Sequence, residues 1–295
     1  MTTALNEGDS RQTAVPTGIA ASPLLAPWAE SPSTVRSYLS LIRELAVTSF
    51  KLKYAGSVLG YIWSLIKPLM LFGMMYLIFA AFLLKGRTSS AENFPVELLV
   101  AIVLWTFFAD ATTTALASIA GNGDMIRKAY FPRWILVVAS TMSAAMTLIV
   151  NAVLIFVLGL LFHWYQVGWQ SLLLIPLLLE LYVLSLGIGM LLAALYVYYR
   201  DLGHIWEILL QLLFYLSAII FPFSLLSPQL QGLAAMNPVA QIIEDARRAV
   251  VSSAIPWSTD LLGRRLVVPL VLVIGALGVG IWSFQVLSKR FGERL

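Results

Sequence analysis

The residues whose types could do chemistry in this sequence are polar side chains that recur at intervals of four. They form three rows: Asp110, Thr114 and Ser118; Ser143, Thr147 and Asn151; and Glu207, Gln211 and Tyr215. Because residues four apart lie on one face of a helix, each row is a stripe of hydrogen-bonding groups. Two interpretations stay open: the stripes join neighbouring helices, or they line a hydrated path for a hydroxyl-bearing cargo. Three rows in one chain favour the path.

Covalent and metal chemistry finds little support in the sequence. There is no cysteine, which excludes disulfides, iron–sulfur clusters and thiol nucleophiles. The two histidines, His163 and His204, are far apart, and neither an HExxH motif nor a G-x-S-x-G elbow is present. None of the six lysines follows a glycine, so the phosphate loop of ATPases is missing. We predict no catalytic, metal-binding or cofactor-binding residue, so that any ATP-driven step needs another polypeptide.

The elements that carry the polar rows are predicted to be membrane-spanning helices. Of the 295 residues, 60% are hydrophobic and 12% are charged, whereas soluble domains carry about 25% charged residues. The mean hydropathy is +0.87. These values predict an all-α integral membrane protein.

A bilayer core takes roughly 20 apolar residues per helix. Six segments meet or approach this length: about 61–84, 96–119, 135–162, 172–196, 205–226 and 266–287. The fifth contains Glu207 and Gln211 and stops at the Phe221-Pro222 step, so a segment that enters the membrane and returns is an alternative there.

Other segments flank the spans. Residues 1–33 lack a compact apolar stretch and are predicted to be a flexible cytoplasmic tail, leaving 34–295 as the transmembrane domain. In residues 34–54 the apolar side chains recur at helical spacing on one face, opposite basic side chains, which predicts an amphipathic helix in the membrane interface. A soluble helix packed on a partner is the alternative there.

A second amphipathic helix is predicted after the fifth segment. Asn237 is a good N-cap and Pro238 suits the first helical turn. The apolar face is Ile242, Ile243, Ala246, Ala249 and Val250, opposite Glu244, Asp245, Arg247 and Arg248. We expect this helix on the external surface, over the membrane end of the spans.

Basic residues predict the orientation in the membrane. With the N-terminus inside, the inner side holds Arg11, Arg36, Arg43, Lys51, Lys53, Arg127, Lys128, Arg133, Arg200, Lys289, Arg290 and Arg294. The outer side holds Lys85, Arg87, Arg247, Arg248, Arg264 and Arg265. This excess favours both termini in the cytoplasm.

Four local patterns together resemble a known family. They are LKYAGSVLGYIWSLIKP at Leu52–Pro68; GDMIRKAYFPR at Gly123–Arg133; Tyr199-Arg200-Asp201-Leu202 with a following FYLSAIIFP; and Asn237-Pro238 with Arg247 downstream. In this order and spacing they resemble the permease subunit of ABC-2 class polysaccharide exporters, the Wzm- and teichoic-acid-exporter-like proteins. One departure is Ala55, where relatives often carry a second basic residue.

The resemblance implies an architecture and a function. Such permeases have six spans, form homodimers in the bacterial cytoplasmic membrane and bind two copies of a P-loop ATPase subunit, which holds the ATP and Mg. A lipid-linked polysaccharide of O-antigen, teichoic acid or galactan type passes between the two halves; no nucleic acid is involved. The chain itself is then not an enzyme. A proton-coupled flippase or secondary carrier for a lipid-linked glycan, using Asp110, Glu180 or Glu207, is the alternative; a membrane-bound sugar transferase is a third, disfavoured reading.

Three groups of residues are expected to carry the function. The translocation path is predicted at Asp110, Thr114, Ser118, Ser143, Thr147 and Asn151, with Tyr61, Trp63 and Tyr215 as stacking surfaces. The ATPase contact is predicted at Asp124, Arg127, Lys128, Tyr130, Phe131 and Arg133, because aromatic and arginine residues are favoured anchors at interfaces. Arg200 and Asp201 are predicted to serve structure or coupling, with Asp201 capping the next helix.

Overall fold

The computed structural model describes residues 32–57, 59–83, 93–128, 131–161, 169–220, 223, 226–251 and 255–291. Most of the predicted tail, 1–33, therefore lies outside the described residues. The described residues divide into two units at Leu39, and the second, which begins at Ser40, holds the candidate membrane spans.

The described residues are helical, with no strand among them. The helices are α1 (Pro32–Tyr54), α2 (Trp63–Leu83), α3 (Phe94–Ser118), α4 (Gly123–Lys128), α5 (Trp134–Leu161), α6 (Leu174–Tyr196), α7 (Leu202–Leu216), α8 (Pro228–Ala234), α9 (Pro238–Val250), α10 (Ser258–Leu262) and α11 (Val267–Leu287). The predicted helix at 34–54 forms as α1. The predicted all-α class is confirmed.

Among the described residues, five stretches are long and apolar enough to cross a membrane. They are Gly60–Phe79, Phe94–Ser118, Trp134–Val157, Gln170–Tyr196 and Ser258–Leu287. The fifth predicted segment, 205–226, gives only the shorter apolar helix Leu202–Leu216. Its predicted end near residue 226 is wrong, because the helix stops at Leu216 and Ala218 adopts a φ of +53°, outside the helical region.

Helix α3 lies at the centre of the domain and packs against α5 and α6. Most of α3 is buried, whereas few residues of α2 are. Helices α6 and α11 approach most closely at Gly187 and Gly280, where a Cβ on Gly280 would overlap the Gly187 carbonyl oxygen. Only glycine permits this backbone contact.

Helix α9 forms where it was expected, but its environment differs. The Asn237 side chain accepts from the Val239 N–H at 3.1 Å, as a helix cap does. The polar face is not exposed, since Glu244, Asp245 and Arg247 are buried along with the apolar face. The polar face is covered by contacts within the chain and not by water.

Candidate functional site

An ion pair joins the end of α1 to the middle of α3. The Lys53 ammonium Nζ lies 2.7 Å from Oδ1 and 2.5 Å from Oδ2 of Asp110. The two side chains keep only 28% and 23% of their surface exposed. A charged side chain in a membrane domain is costly without a partner, so this pairing explains how α3 can carry Asp110.

A cluster of three aromatic rings begins beside Lys53, whose Nζ lies 5.7 Å from the centroid of the Tyr54 ring. The Tyr61 ring stacks on the Phe50 ring with centroids 5.3 Å apart, and it lies 5.5 Å from the Tyr54 ring. The chain turns back between them at Gly56 and Gly60, whose φ angles are +77° and +48°. Tyr61 stays half exposed, and it offers a ring face to an external partner. Trp63 is also exposed, at the start of α2.

The polar row on α3 is divided between surface and interior. The Thr114 hydroxyl donates to the Asp110 carbonyl at 2.8 Å, and the Ser118 hydroxyl donates to the Ala115 carbonyl at 2.6 Å. Thr114 is half-buried and Ser118 is buried, while Thr113 beside them is exposed. The accessible polar face of α3 therefore runs along Asp110, Thr113 and Thr114.

The row on α5 lies inside the subunit. Ser143, Thr147 and Asn151 are all buried. Thr147 donates to the Ser143 carbonyl at 3.4 Å, and the Asn151 amide donates to the Thr147 carbonyl at 3.0 Å. The Asn151 Oδ1 atom accepts no hydrogen bond within the described part of the chain. In this structure the row therefore lies where residues that join neighbouring helices lie.

The row on α7 lies on the surface. Glu207, Gln211 and Tyr215 are exposed, and 71% of the Tyr215 surface is accessible. The opposite face is fixed to α3 by Trp206, whose indole N–H donates to the Thr112 hydroxyl at 3.2 Å. Helix α7 thus turns a polar stripe outward from a domain that is otherwise apolar.

The predicted ATPase-contact turn includes α4 and the start of α5. Asp124, Arg127 and Lys128 are exposed, and Tyr130 lies outside the described residues. Phe131 packs against the chain's own apolar cluster around Phe284 and Phe291. The Arg133 guanidinium donates to the Ser288 carbonyl and lies over the Phe291 ring, 5.8 Å from its centroid. The turn is therefore exposed at its charged beginning and anchored to the C-terminal segment at its end.

Arg200 and Asp201 stand between α6 and α7. Arg200 is exposed and lies over the Tyr196 ring at 5.3 Å. Asp201 occupies the N-cap position of α7, as expected, but its side chain makes no cap hydrogen bond. Its backbone carbonyl accepts instead from the amides of His204 and Ile205 at 3.1 Å.

Sequence reasoning missed the centre of the α9 network, which is Arg247. Its guanidinium donates to Glu244 at 2.9 Å and to the carbonyls of Glu97, Ala218 and Ile219 at 3.1, 2.9 and 2.7 Å. Glu244 in turn accepts from the Phe223 amide at 3.1 Å. Both charged side chains are 1% exposed. The spacing of three residues between them was a signal for a pair on one helix.

A second polar group on α9 is also buried. Asp245 accepts from the Gln241 amide at 2.9 Å and from the Ser258 backbone amide at 2.8 Å. Glu180 of α6, which has no obvious partner in the sequence, lies close enough to Gln241 and Asp245 to interact with both. These contacts tie α9 to α6 and to the start of α10.

The arrangement can bind and orient a partner molecule, and the described residues offer few groups for catalysis. Within the described residues no three acidic or histidine side chains are grouped to hold a metal ion. The buried charges of Glu244 and Arg247 form an ion pair, and the exposed groups are hydroxyls, amides and aromatic rings together with the charges of α4 and Glu207. This chemistry suits a surface that contacts a polar partner through hydrogen bonds and stacking.

Comparison with known sequences places the chain in a family. The sequence pattern of the family described as ABC-2 type transporter matches residues 40–250. The chain belongs to this family. The ABC-2 match covers the end of α1 through α9, and so includes Lys53, Asp110 and Arg247.

Several curated ABC-2 relatives are similar along most of their length. An O-antigen export system permease protein RfbA of Klebsiella pneumoniae is 25% identical over 252 residues, 83% of this chain and 91% of the relative. The Myxococcus xanthus protein of the same name is 23% identical, over 76% of this chain and 85% of the relative. The polysialic acid transport protein KpsM of Escherichia coli is 20% identical, over 75% of this chain and 84% of the relative.

Proposed function

We propose that this chain is the membrane subunit of an ATP-driven exporter that moves a lipid-linked cell-surface polysaccharide across the bacterial cytoplasmic membrane. The observation that carries the proposal is the outward polar stripe of α7, formed by Glu207, Gln211 and Tyr215. Such a stripe is costly against lipid. Similarity to export permeases for O-antigen and polysialic acid supports a polysaccharide as the cargo.

The path forms between two copies of the chain. A second copy covers the α7 stripe and the accessible polar face of α3 at Asp110, Thr113 and Thr114. Tyr61, Trp63 and Tyr215 supply exposed rings for the C–H faces of sugars. The buried members of the predicted path are Ser118, Ser143, Thr147 and Asn151; they join it only in a state in which the helices have moved apart.

ATP hydrolysis belongs to a separate subunit, which binds the ATP and Mg. The sequence has no phosphate loop. The exposed side chains of Asp124, Arg127 and Lys128 support a docking role for this turn. The same basic residues support a cytoplasmic position for the turn. With α7 crossing the membrane as the sixth span, both termini lie on that side.

Cysteine scanning tests the path, and the chain is suited to it because the native sequence has no cysteine. Gln211→Cys and Thr114→Cys in native membranes should react with a water-soluble maleimide, in the assembled complex with its ATPase. Leu212→Cys is the matched control, since Leu212 neighbours Gln211 and is 56% exposed on the apolar side. Ile149→Cys, at 63% exposure, is a second lipid-facing control.

Equal reactivity at Gln211 and Leu212 would contradict a hydrated path along α7. Cysteines at 118, 143, 147 and 151 that react only in one nucleotide state would add the buried row to the path. The energy source distinguishes the proton-coupled alternative from the proposal. Inverted vesicles that contain both subunits should take up lipid-linked glycan when ATP is supplied, and a proton uncoupler should not stop this uptake.

A further inference from the structure

A cavity of about 250 Å³ lies among α3, α5, α6 and the end of α9. Its wall includes Val103, Leu148, Phe156, Ser171, Leu178 and Val250. It is separate from the polar stripes that we assign to the path, and none of its lining residues has a role in the proposed function.

The wall does not suit water. Ser171 has the single side-chain hydroxyl among the lining residues, and it donates to the Ala249 carbonyl at 3.2 Å. A buried water needs two to four polar partners, and apolar cavities of this kind stay dry or take up apolar molecules. The cavity is therefore a place for hydrocarbon.

One part of the wall reaches the outer surface of the domain. Phe156 lines the cavity and is also 53% exposed on α5. Its neighbours Val153 and Val157 are 57% and 45% exposed. Because α5 includes a candidate membrane span, Trp134–Val157, this surface faces the hydrocarbon of the bilayer. The opposite wall is interior, since Val103 on α3 is only 3% exposed.

We propose that one acyl chain of a membrane phospholipid enters beside Phe156 and occupies this cavity. Phospholipid acyl chains are the hydrocarbon that surrounds the opening. An acyl chain has no polar atom and suits this wall, because the Ser171 hydroxyl already donates to the Ala249 carbonyl. The bound chain contacts Val103 at its inner end and Val250 at the end of α9, so it supports the end of α9.

Photolabelling of the full chain tests the site. The protein is reconstituted in vesicles of phosphatidylethanolamine and phosphatidylglycerol that include a phosphatidylcholine with a diazirine in its acyl chain, and labelled peptides are mapped by mass spectrometry. Exposed residues of α2 and α5 will be labelled in any case. Labelling at Val100, Val103 or Leu104 of α3 is the diagnostic result, because these residues are buried and line the cavity.

Two variants on α5 complete the test. Ala152→Phe places a ring in the cavity, and we expect loss of labelling at Val100, Val103 and Leu104. Val153→Phe adds the same ring one residue away, on the lipid-facing side, and should keep it. Absence of that labelling in the native chain, with α2 and α5 labelled, would overturn the proposal even if Ala152→Phe fails to fold. Its persistence in a folded Ala152→Phe variant would overturn it as well.

Discussion

Arg247 shows how a charged side chain can be fully buried in this membrane domain. Each of its three guanidinium nitrogens donates, and the acceptors are one carboxylate and three backbone carbonyls. Two of those carbonyls, Ala218 and Ile219, follow the end of α7, where the helix no longer provides partners. Arg247 therefore supplies the hydrogen-bond donors for the Ala218 and Ile219 carbonyls, which have no partner within α7.

Replacement of Arg247 should destabilise the subunit strongly. Arg247→Met leaves Glu244 buried without its partner, and breaking a buried pair in this way costs about 3–5 kcal/mol. Arg247→Lys should fail to restore stability, because an ammonium cannot reach the same divergent acceptors. The measurement is the thermal unfolding midpoint of the purified chain. Arg264→Met, at an exposed arginine, is the control, and a native midpoint for Arg247→Lys would contradict the expectation.

Lys53 and Asp110 should be energetically coupled. Lys53→Gln or Asp110→Asn alone leaves a half-buried charge without its partner, while the double variant removes both charges. A double-mutant cycle in thermal unfolding should give a coupling of roughly 0.5–3 kcal/mol. Lys53→Gln combined with Asp124→Asn is the control, since Asp124 is exposed and distant in sequence. Additive effects for the Lys53–Asp110 pair would show that the contact contributes nothing.

At the scale of elements, the sequence predicted where helices lie along the chain better than it predicted what each helix face contacts. Apolar length located the first four spans to within about five residues, whereas it placed the end of α7 ten residues too late. Periodicity defines a helix face but not the neighbour of that face. The α5 and α7 rows therefore looked alike in sequence, yet Asn151 is buried and Gln211 is exposed. The end of α7 and the covered polar face of α9 depend on each other through Arg247, and no local pattern contains that information.

The close contact of α6 and α11 gives an element-scale prediction. Gly280→Ala and Gly187→Ala should lower the unfolding midpoint, because a Cβ at Gly187 would lie 2.5 Å from the Leu277 backbone nitrogen and one at Gly280 would overlap Gly187. Gly278→Ala and Gly275→Ala are matched controls on α11, where a Cβ meets nothing within 4 Å. Alanine favours a helix over glycine by about 1 kcal/mol, so the controls should be neutral or slightly stabilised. Equal loss at all four positions would contradict the contact.

At the scale of the whole molecule, the exposed surface is divided by chemistry. Helix α2 presents large apolar side chains, among them Met70, Met74 and Leu77, which suit lipid. Helix α7 presents Gln211 and its row, and α4 presents charge. The sequence predicted the membrane class and the likeness to a family from composition and motifs. It could not locate the cavity beside Phe156, because the cavity is formed by four elements that are distant in sequence.

Docking of the ATPase should depend on the charge of the α4 turn. Arg127→Glu with Lys128→Glu reverses two exposed charges, so the amount of ATPase that copurifies with the chain should fall while the unfolding midpoint stays unchanged. Arg264→Glu with Arg265→Glu makes the same charge change at two other exposed arginines and should leave copurification intact. We avoid Phe131 in this test, since its ring packs inside the subunit. Copurification that survives the Arg127 and Lys128 reversal would place the docking surface elsewhere.

The partners of Arg247 also set an order of events during synthesis. The Glu97 carbonyl precedes it by 150 residues, and Ala218 and Ile219 precede it by 29 and 28. Contacts between such distant residues form late. Helices α3 and α7 must therefore enter the bilayer before the carbonyls after α7 have Arg247 as their hydrogen-bond donor. A nascent chain that stops before residue 247 retains those open carbonyls, so the end of α7 is finished only after α9 has been made.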